Sequence, residues 1–172
     1  NESTHLQKYF LAATLSSSVG IYGPIFEYMV SDAIPGKEEY MDSEKYQIRL
    51  WDWNKENKIT MLISKINQIR KEQSSLQQTN NIEFCDTDND QVIAYYKFDD
   101  KKENETLMIA SLDAYYAKQA WIKLPLKSLG IHEGQSINVI DLITGNSYIW
   151  DKEWNFVELH PTLPFHLFKI QK

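Results

Sequence analysis

At Ser75 the hydrophobic rhythm of the chain changes. Upstream, Leu6, Tyr9, Phe10, Ala13 and Leu15 recur at helical spacing, and so do Ile59, Leu62, Ile63, Ile66 and Ile69. A stripe repeating every 3.6 residues is the signature of an amphipathic helix laid on a core. Ser3 or Thr4 is placed to cap the first helix, and Asn57 the second, because a short polar side chain can accept from a free backbone N–H. Downstream, Val92, Ala94, Tyr96 and Phe98 alternate with Ile93, Tyr95 and Lys97. A period of two belongs to strands. Thr106 to Leu112 is apolar on both faces, as a strand covered twice would be. The segments QAWIKL, INVIDLI, SYIW, NFVEL and HLFKI follow at short spacing, separated by Asp99-Asp100, Gly130, Gly134 and Thr144-Gly145-Asn146. That spacing predicts an all-β sandwich or barrel after Ser75. Residues from about Glu83 to Ile170 hold enough alternating apolar positions to close a two-layer core by themselves.

Between the helices the chain is broken by Ser16-Ser17-Ser18 and by Ile34-Pro35-Gly36. Val19 to Gly23 reads as a short buried strand, and Pro24 as the first turn of a further short helix.

The totals exclude several function classes. A net charge of −6 argues against a dominant nucleic-acid or anionic-membrane role, since phosphate binding needs a basic face. No apolar run approaches the roughly 20 residues of a bilayer span. One cysteine, Cys85, rules out an internal disulfide framework and fits a reducing, cytoplasmic compartment. The chain opens at Asn1, without Met or a signal-like apolar segment, and so reads as a processed chain or a fragment.

Chemistry-bearing motifs are sparse. His5, His132, His160 and His166 are scattered, no pair has metal-ligand spacing, and neither a metal nor another cofactor is expected. Asp86, Asp88 and Asp90 match positions 1, 3 and 5 of a calcium loop. Gln91 stands where that loop needs Gly and Lys97 where it needs Glu, so a solvated turn is the better reading. The acceptor sequons at Asn1 and Asn104 lack a secretory context. Trp51, Trp53, Trp121, Trp150 and Trp154 can each stack a sugar ring or simply fill a core.

One stretch fits neither core nor linker: EEYMDSEKYQIRLWDW, from Glu38 to Trp53. In order and spacing, AATLSSSVGIYGPIFEY, this stretch, INQIRKE and TDNDQVIAYYK resemble the family of bacterial alpha-1,4-glucan:maltose-1-phosphate maltosyltransferases, of the alpha-amylase superfamily and glycoside hydrolase family 13. DLITGNSYIW and NFVELHP are similar to that family's terminal sandwich. The resemblance implies an α+β fragment: the helical last segment of a (β/α)8 barrel over residues 1–77, with its final strand near Val19 to Tyr22, then an all-β antiparallel sandwich over residues 78–172. A full barrel needs about 250 residues.

The family uses an aspartate nucleophile, a glutamate acid/base and a third carboxylate in an N-H-D motif, and none of the three has a match here. Two carboxylates at a fixed close separation are the minimum for retaining glycosyl transfer. The resemblance therefore implies no catalytic residue in this chain. By match to the D-S-E-K-Y block it implies that Lys45 and Tyr46 contact the donor sugar. Trp51 and Trp53 are expected, as a separate reading, to hold that loop by packing. The implied partners are α-1,4-glucan and maltose 1-phosphate. The apolar faces of YFLAATL and VGIYG, without barrel neighbours, are expected to repack or to drive association, a homodimer included. A non-catalytic carbohydrate-binding, structural or dimerisation sandwich is the alternative.

Overall fold

The computed structural model describes residues 1–37, 39–41 and 48–172. Helix α1 spans Glu2–Leu15 and α2 spans Lys58–Glu72, followed by a 3-10 turn at Ser74–Gln77. The strands are β1 Ile82–Cys85, β2 Val92–Phe98, β3 Glu105–Ser111, β4 Lys118–Lys123, β5 Ile137–Asp141, β6 Ser147–Trp150, β7 Trp154–Leu159 and β8 Phe165–Gln171. A short α3, Leu126–Leu129, sits between β4 and β5 and ends on Gly130, whose φ of 69° suits a residue without a Cβ. Among the described residues no helix is long and apolar enough to cross a membrane.

The strands form a six-stranded antiparallel sheet in the order β1-β2-β3-β8-β5-β6 and a separate antiparallel pair, β4-β7. The large sheet is covered on both faces. On one, Ala94, Tyr96, Leu107, Ile109, Val139 and Phe168 meet Ala120, Ile122, Val157 and Leu159 of the β4-β7 pair. On the other, Tyr95, Met108, Ala110, Phe165 and Leu167 meet Leu6, Phe10 and Ala13 of α1 and Ile59, Ile66 and Ile69 of α2. The layers thus run helices, six-stranded sheet, two-stranded sheet. This is why every residue of β3 is buried and why its middle, Leu107 to Ala110, is apolar on both faces. The two aromatic rings Phe10 and Phe165 stack with centroids 4.0 Å apart and planes 4° from parallel.

Three expectations are corrected. First, α1 is capped by Asn1, whose Oδ1 accepts from Thr4 N at 2.9 Å; Ser3 lies inside the helix and is buried. Asn57 does cap α2, accepting from Thr60 N at 2.9 Å. Second, Val19 to Gly23 forms no strand. Val19 and Ile21 are partly buried against the helical side of the core, Tyr22 is exposed, and Pro24 enters a turn rather than a helix. An extended run becomes a strand only beside another, and among the described residues none pairs with this one. The described chain is therefore mostly antiparallel sheet with few helices, without the anticipated barrel strand. Third, the apolar stripe of α1 is not left bare, because the large sheet covers it. Between the two sheets the strand region does close a core of its own, from Val92 to Ile170, and the helices cover the outer face of β2, β3 and β8 as a second core.

Candidate functional site

The stretch from Glu38 to Trp53 is anchored at both ends. At its start a small hairpin pairs Ala33 with Tyr40, with Ile34 N donating to Glu39 O at 2.8 Å and Met41 N donating to Asp32 O at 2.7 Å. Pro35-Gly36 makes the tip, where Gly36 has a φ of 77°. At its end the Arg49 guanidinium donates to Met41 O at 3.1 Å and lies 5.7 Å from the Trp51 ring centroid. Trp51 in turn lies 5.2 Å from the Tyr28 ring, and the Tyr28 hydroxyl donates to Asp52 O. Arg49 and Met41, on either side of residues 42–47, are therefore in contact. Lys45 and Tyr46, the expected donor contacts, lie outside the described residues, as do Glu38, Asp42 and Glu44. Of the two tryptophans expected to hold this loop, Trp51 packs and Trp53 does not: it is 73% exposed.

A second cluster gathers two of the tryptophans noted in the sequence, Trp121 and Trp154, with Phe156, which was not singled out. On β4 the outward residues are Gln119, Trp121 and Lys123; on β7 they are Trp154, Phe156 and Glu158. The register sets Gln119 opposite Glu158, Trp121 opposite Phe156 and Lys123 opposite Trp154. Trp121 and Phe156 meet edge to face at 5.6 Å, and the Lys123 ammonium lies 5.9 Å from the Trp154 ring. Beside this face runs a cleft of about 240 Å³ lined by Tyr148, Trp150, Phe156, Glu158, His166 and Phe168. His166 is locked in its wall: Nδ1 is hydrogen-bonded to Asp141 Oδ2 at 2.9 Å and Nε2 to Glu158 O at 3.1 Å. The legible signal was the alternation of Trp121 with Ile122 and of Trp154, Phe156 with Asn155, Val157, which puts aromatics where an outward face carries polar groups.

The aspartates of the calcium-like run serve this face instead. Asp88 Oδ1 accepts from Trp121 N at 2.7 Å, Lys123 N donates to Asp86 O at 2.9 Å, and Asn89 Nδ2 donates to Gln119 O at 2.9 Å. The run is a clamp along the free edge of β4. Among the described residues no three His, Cys, Asp or Glu side chains gather as a metal would need.

Lys97 and Cys85 are among the titratable groups displaced from their ordinary behaviour. Lys97, mid-β2, is fully buried, and among the described residues no carboxylate pairs with it. Its ammonium donates to Gln78 O at 2.6 Å and Thr14 O at 3.2 Å. Burial, with the charge of Arg70 adding to it, brings its pKa down to about 8. Burial pushes the Cys85 thiol up to about 12, and the nearby carboxylates of Glu83 and Asp86 push the same way. A thiol so protonated is a poor nucleophile.

Residues 84–170 match the family model described as GLGE, C-terminal. The chain belongs to this family. Its curated relatives include the alpha-1,4-glucan:maltose-1-phosphate maltosyltransferase of Methylacidiphilum infernorum, 41% identical over 99% of this chain and 26% of that protein's length. The enzyme of the same name from Chlorobaculum tepidum is 39% identical over 95% of this chain and 25% of its own length. The chain thus spans about a quarter of the length of the curated relatives it matches. Among solved structures, the maltogenic alpha-amylase AmyB from Thermotoga neapolitana superposes with a TM-score of 0.70 at 15% identity, over 100% of this chain and 38% of that one. AmyP in complex with maltotriose gives a TM-score of 0.65 at 16% identity, over 99% of this chain and 35% of that one. At such identity the two structures share a fold with this GLGE C-terminal chain. The matched family region begins in β1 and ends in β8, so it takes in the aromatic face and the cleft.

Proposed function

We propose that this chain is the C-terminal region of a maltosyltransferase that moves maltosyl units from maltose 1-phosphate onto α-1,4-glucan with retention. The observation that carries the proposal is its 41% identity, along nearly its whole length, to a protein of that activity. In this reading residues 1–77 are the end of the catalytic barrel and residues 78–172 the terminal β domain. The helical layer would then be the seam between them, and its pairing with β3 and β8 supports a rigid junction.

The nucleophile and the acid/base belong to the catalytic part of the enzyme outside these residues. In this reading Lys45 and Tyr46 contact the donor sugar. A lysine offers three N–H donors to sugar hydroxyls, and a tyrosine offers a ring face and a hydroxyl. A phosphorylated donor and a single cysteine support a cytoplasmic location. The enzyme works without a cofactor, on two carbohydrate partners, as a monomer or a homodimer.

A chimera tests this. Residues 1–172 replace the matching quarter of the Methylacidiphilum infernorum enzyme, and phosphate release from maltose 1-phosphate is followed with a glucan acceptor. The chimera is expected to turn over and the isolated chain to be inactive. A folded but inactive chimera, or an isolated chain within tenfold of the intact enzyme, would overturn the reading.

A further inference from the structure

From the outer face of β4-β7 we infer an accessory α-1,4-glucan site, formed by Trp121, Trp154 and Phe156 and continued by the adjoining cleft. The inference rests on the proposed function for the class of sugar it names. Its structural basis is separate.

Large apolar side chains on an outward strand face are an anomaly, since that face ordinarily carries polar groups. Trp121 is 45% exposed and Phe156 47%. Trp154 and Tyr148 are exposed beside them. One cross-strand aromatic pair is sufficient to steady a two-stranded ribbon. This face holds that pair and a further tryptophan, with Tyr148 across the cleft, and contiguous apolar surface of this kind marks a binding site. The face also lies on the far side of the molecule from α1 and α2: the helices cover one side of the large sheet, and β4-β7 covers the other.

Charge decides the occupant. Among the described residues the outward cation of this face is Lys123, which is already engaged by Glu153 at 3.8 Å, Asp86 at 4.0 Å and the Trp154 ring. The further anion, Glu158, stands opposite neutral Gln119. A phosphate-bearing ligand needs clustered free cations, which this face lacks. A neutral polyol fits. The C–H faces of a pyranose carry the partial positive charge that the negative face of an aromatic ring attracts. Gln119 and Glu158 flank the rings with hydrogen-bonding groups for the hydroxyls. The platform is also preorganised: Asp88 and Asn89 hold β4 by its backbone, and His166 is held on both nitrogens. A rigid face loses little entropy when a sugar chain lies on it.

The 172-residue chain itself is tested by electrophoresis through gels containing soluble glycogen, and by titration with maltoheptaose. Glycogen is expected to retard it. Trp121→Ala and Phe156→Ala should each weaken binding roughly fivefold to tenfold, the loss of one aromatic contact. Trp121→Tyr should restore most of the affinity, and Tyr115→Ala, in the exposed loop before β4, should change nothing. Circular dichroism checks that each variant folds, and Trp154→Ala stands in for any that does not. Absence of retardation, or retardation equal in wild type and in all the aromatic variants, overturns the inference. So does sedimentation showing a dimer that Trp121→Ala dissociates without any glucan binding, because the face would then seat a second copy. These readouts involve no turnover, so an inactive chimera and a glycogen-blind chain are separate failures.

Discussion

The ammonium of Lys97, in the middle of β2, donates to the carbonyl oxygen of Thr14 at the end of α1, across 3.2 Å and 83 residues of sequence. Thr14 O is one of the last carbonyls of the helix and has no intrahelical partner. The same ammonium donates to Gln78 O at 2.6 Å, just past the 3-10 turn. One buried charge thus ties the large sheet to both ends of the segment that precedes it. Beside it the Thr14 and Tyr95 hydroxyls lie 2.5 Å apart.

Removing that charge has two expected effects. Lys97→Met leaves two buried carbonyls unpaired and should destabilise the fold by roughly 1–3 kcal/mol in urea titrations at neutral pH. The difference should also depend on pH. The folded-state pKa is about 8 against an ordinary value of 10.5. Between these values the unfolded chain holds more protons than the folded one, so the wild type gains stability as pH rises. Below pH 8 the contribution is level. The gap between wild type and Lys97→Met should therefore widen from pH 8 to pH 10 and stay constant from pH 6 to pH 7.5. A gap that is flat throughout would mean that the site leaves the lysine unshifted.

The helical layer should unfold with the sheet. Phe10→Ala removes a fully buried ring stacked on Phe165 and is expected to cost about 3–5 kcal/mol. Thermal melts followed by circular dichroism should stay a single transition. A chain beginning at Asn80 bares Tyr95, Met108, Phe165 and Leu167, and should bind a hydrophobic dye and melt without cooperativity. A sharp melt without dye binding would show that the sheets suffice alone.

Lys45→Ala in the active chimera should lower kcat/KM by roughly 10- to 150-fold, the loss of a charged hydrogen bond worth about 1.5–3 kcal/mol. A rise in KM alone would mean equal contact in ground and transition states, and a fall in kcat contact that tightens as the ring distorts. Lys45→Arg should recover only part of the activity, because a planar fork cannot reproduce a compact ammonium. Kinetics like wild type would make the stretch an ordinary charged loop.

Asp88→Ala should destabilise the chain by about 1–2 kcal/mol through the lost acceptor for Trp121 N, and should weaken glycogen retardation by loosening β4. Calcium should leave the wild-type melting temperature unmoved, with or without a chelator. A calcium-dependent rise that Asp88→Ala abolishes would turn the clamp into a metal loop.

Local pattern determined much of this protein. The 3.6-residue stripes placed α1 and α2, Asn57 announced its own cap, and period-two alternation located β2 and β4 to β8 between their turn residues. These are properties of neighbours in sequence, governed by backbone geometry and side-chain direction. Val19 to Gly23 shows the limit of such reading: its composition is that of a strand, but a strand also requires a partner, and no short window reveals one. Tertiary structure decided the rest. It set β8 between β3 and β5, pairing the end of the chain with its middle. It laid α1 and α2 on the sheet that the strand pattern alone left half covered. It buried Lys97 on the face it shares with Ile93 and Tyr95, beside carbonyls that receive its protons from 19 and 83 residues away. And it aligned Trp121 with Phe156, since cross-strand register follows from pairing between distant segments, whereas each strand's sequence specifies only which residues share a side.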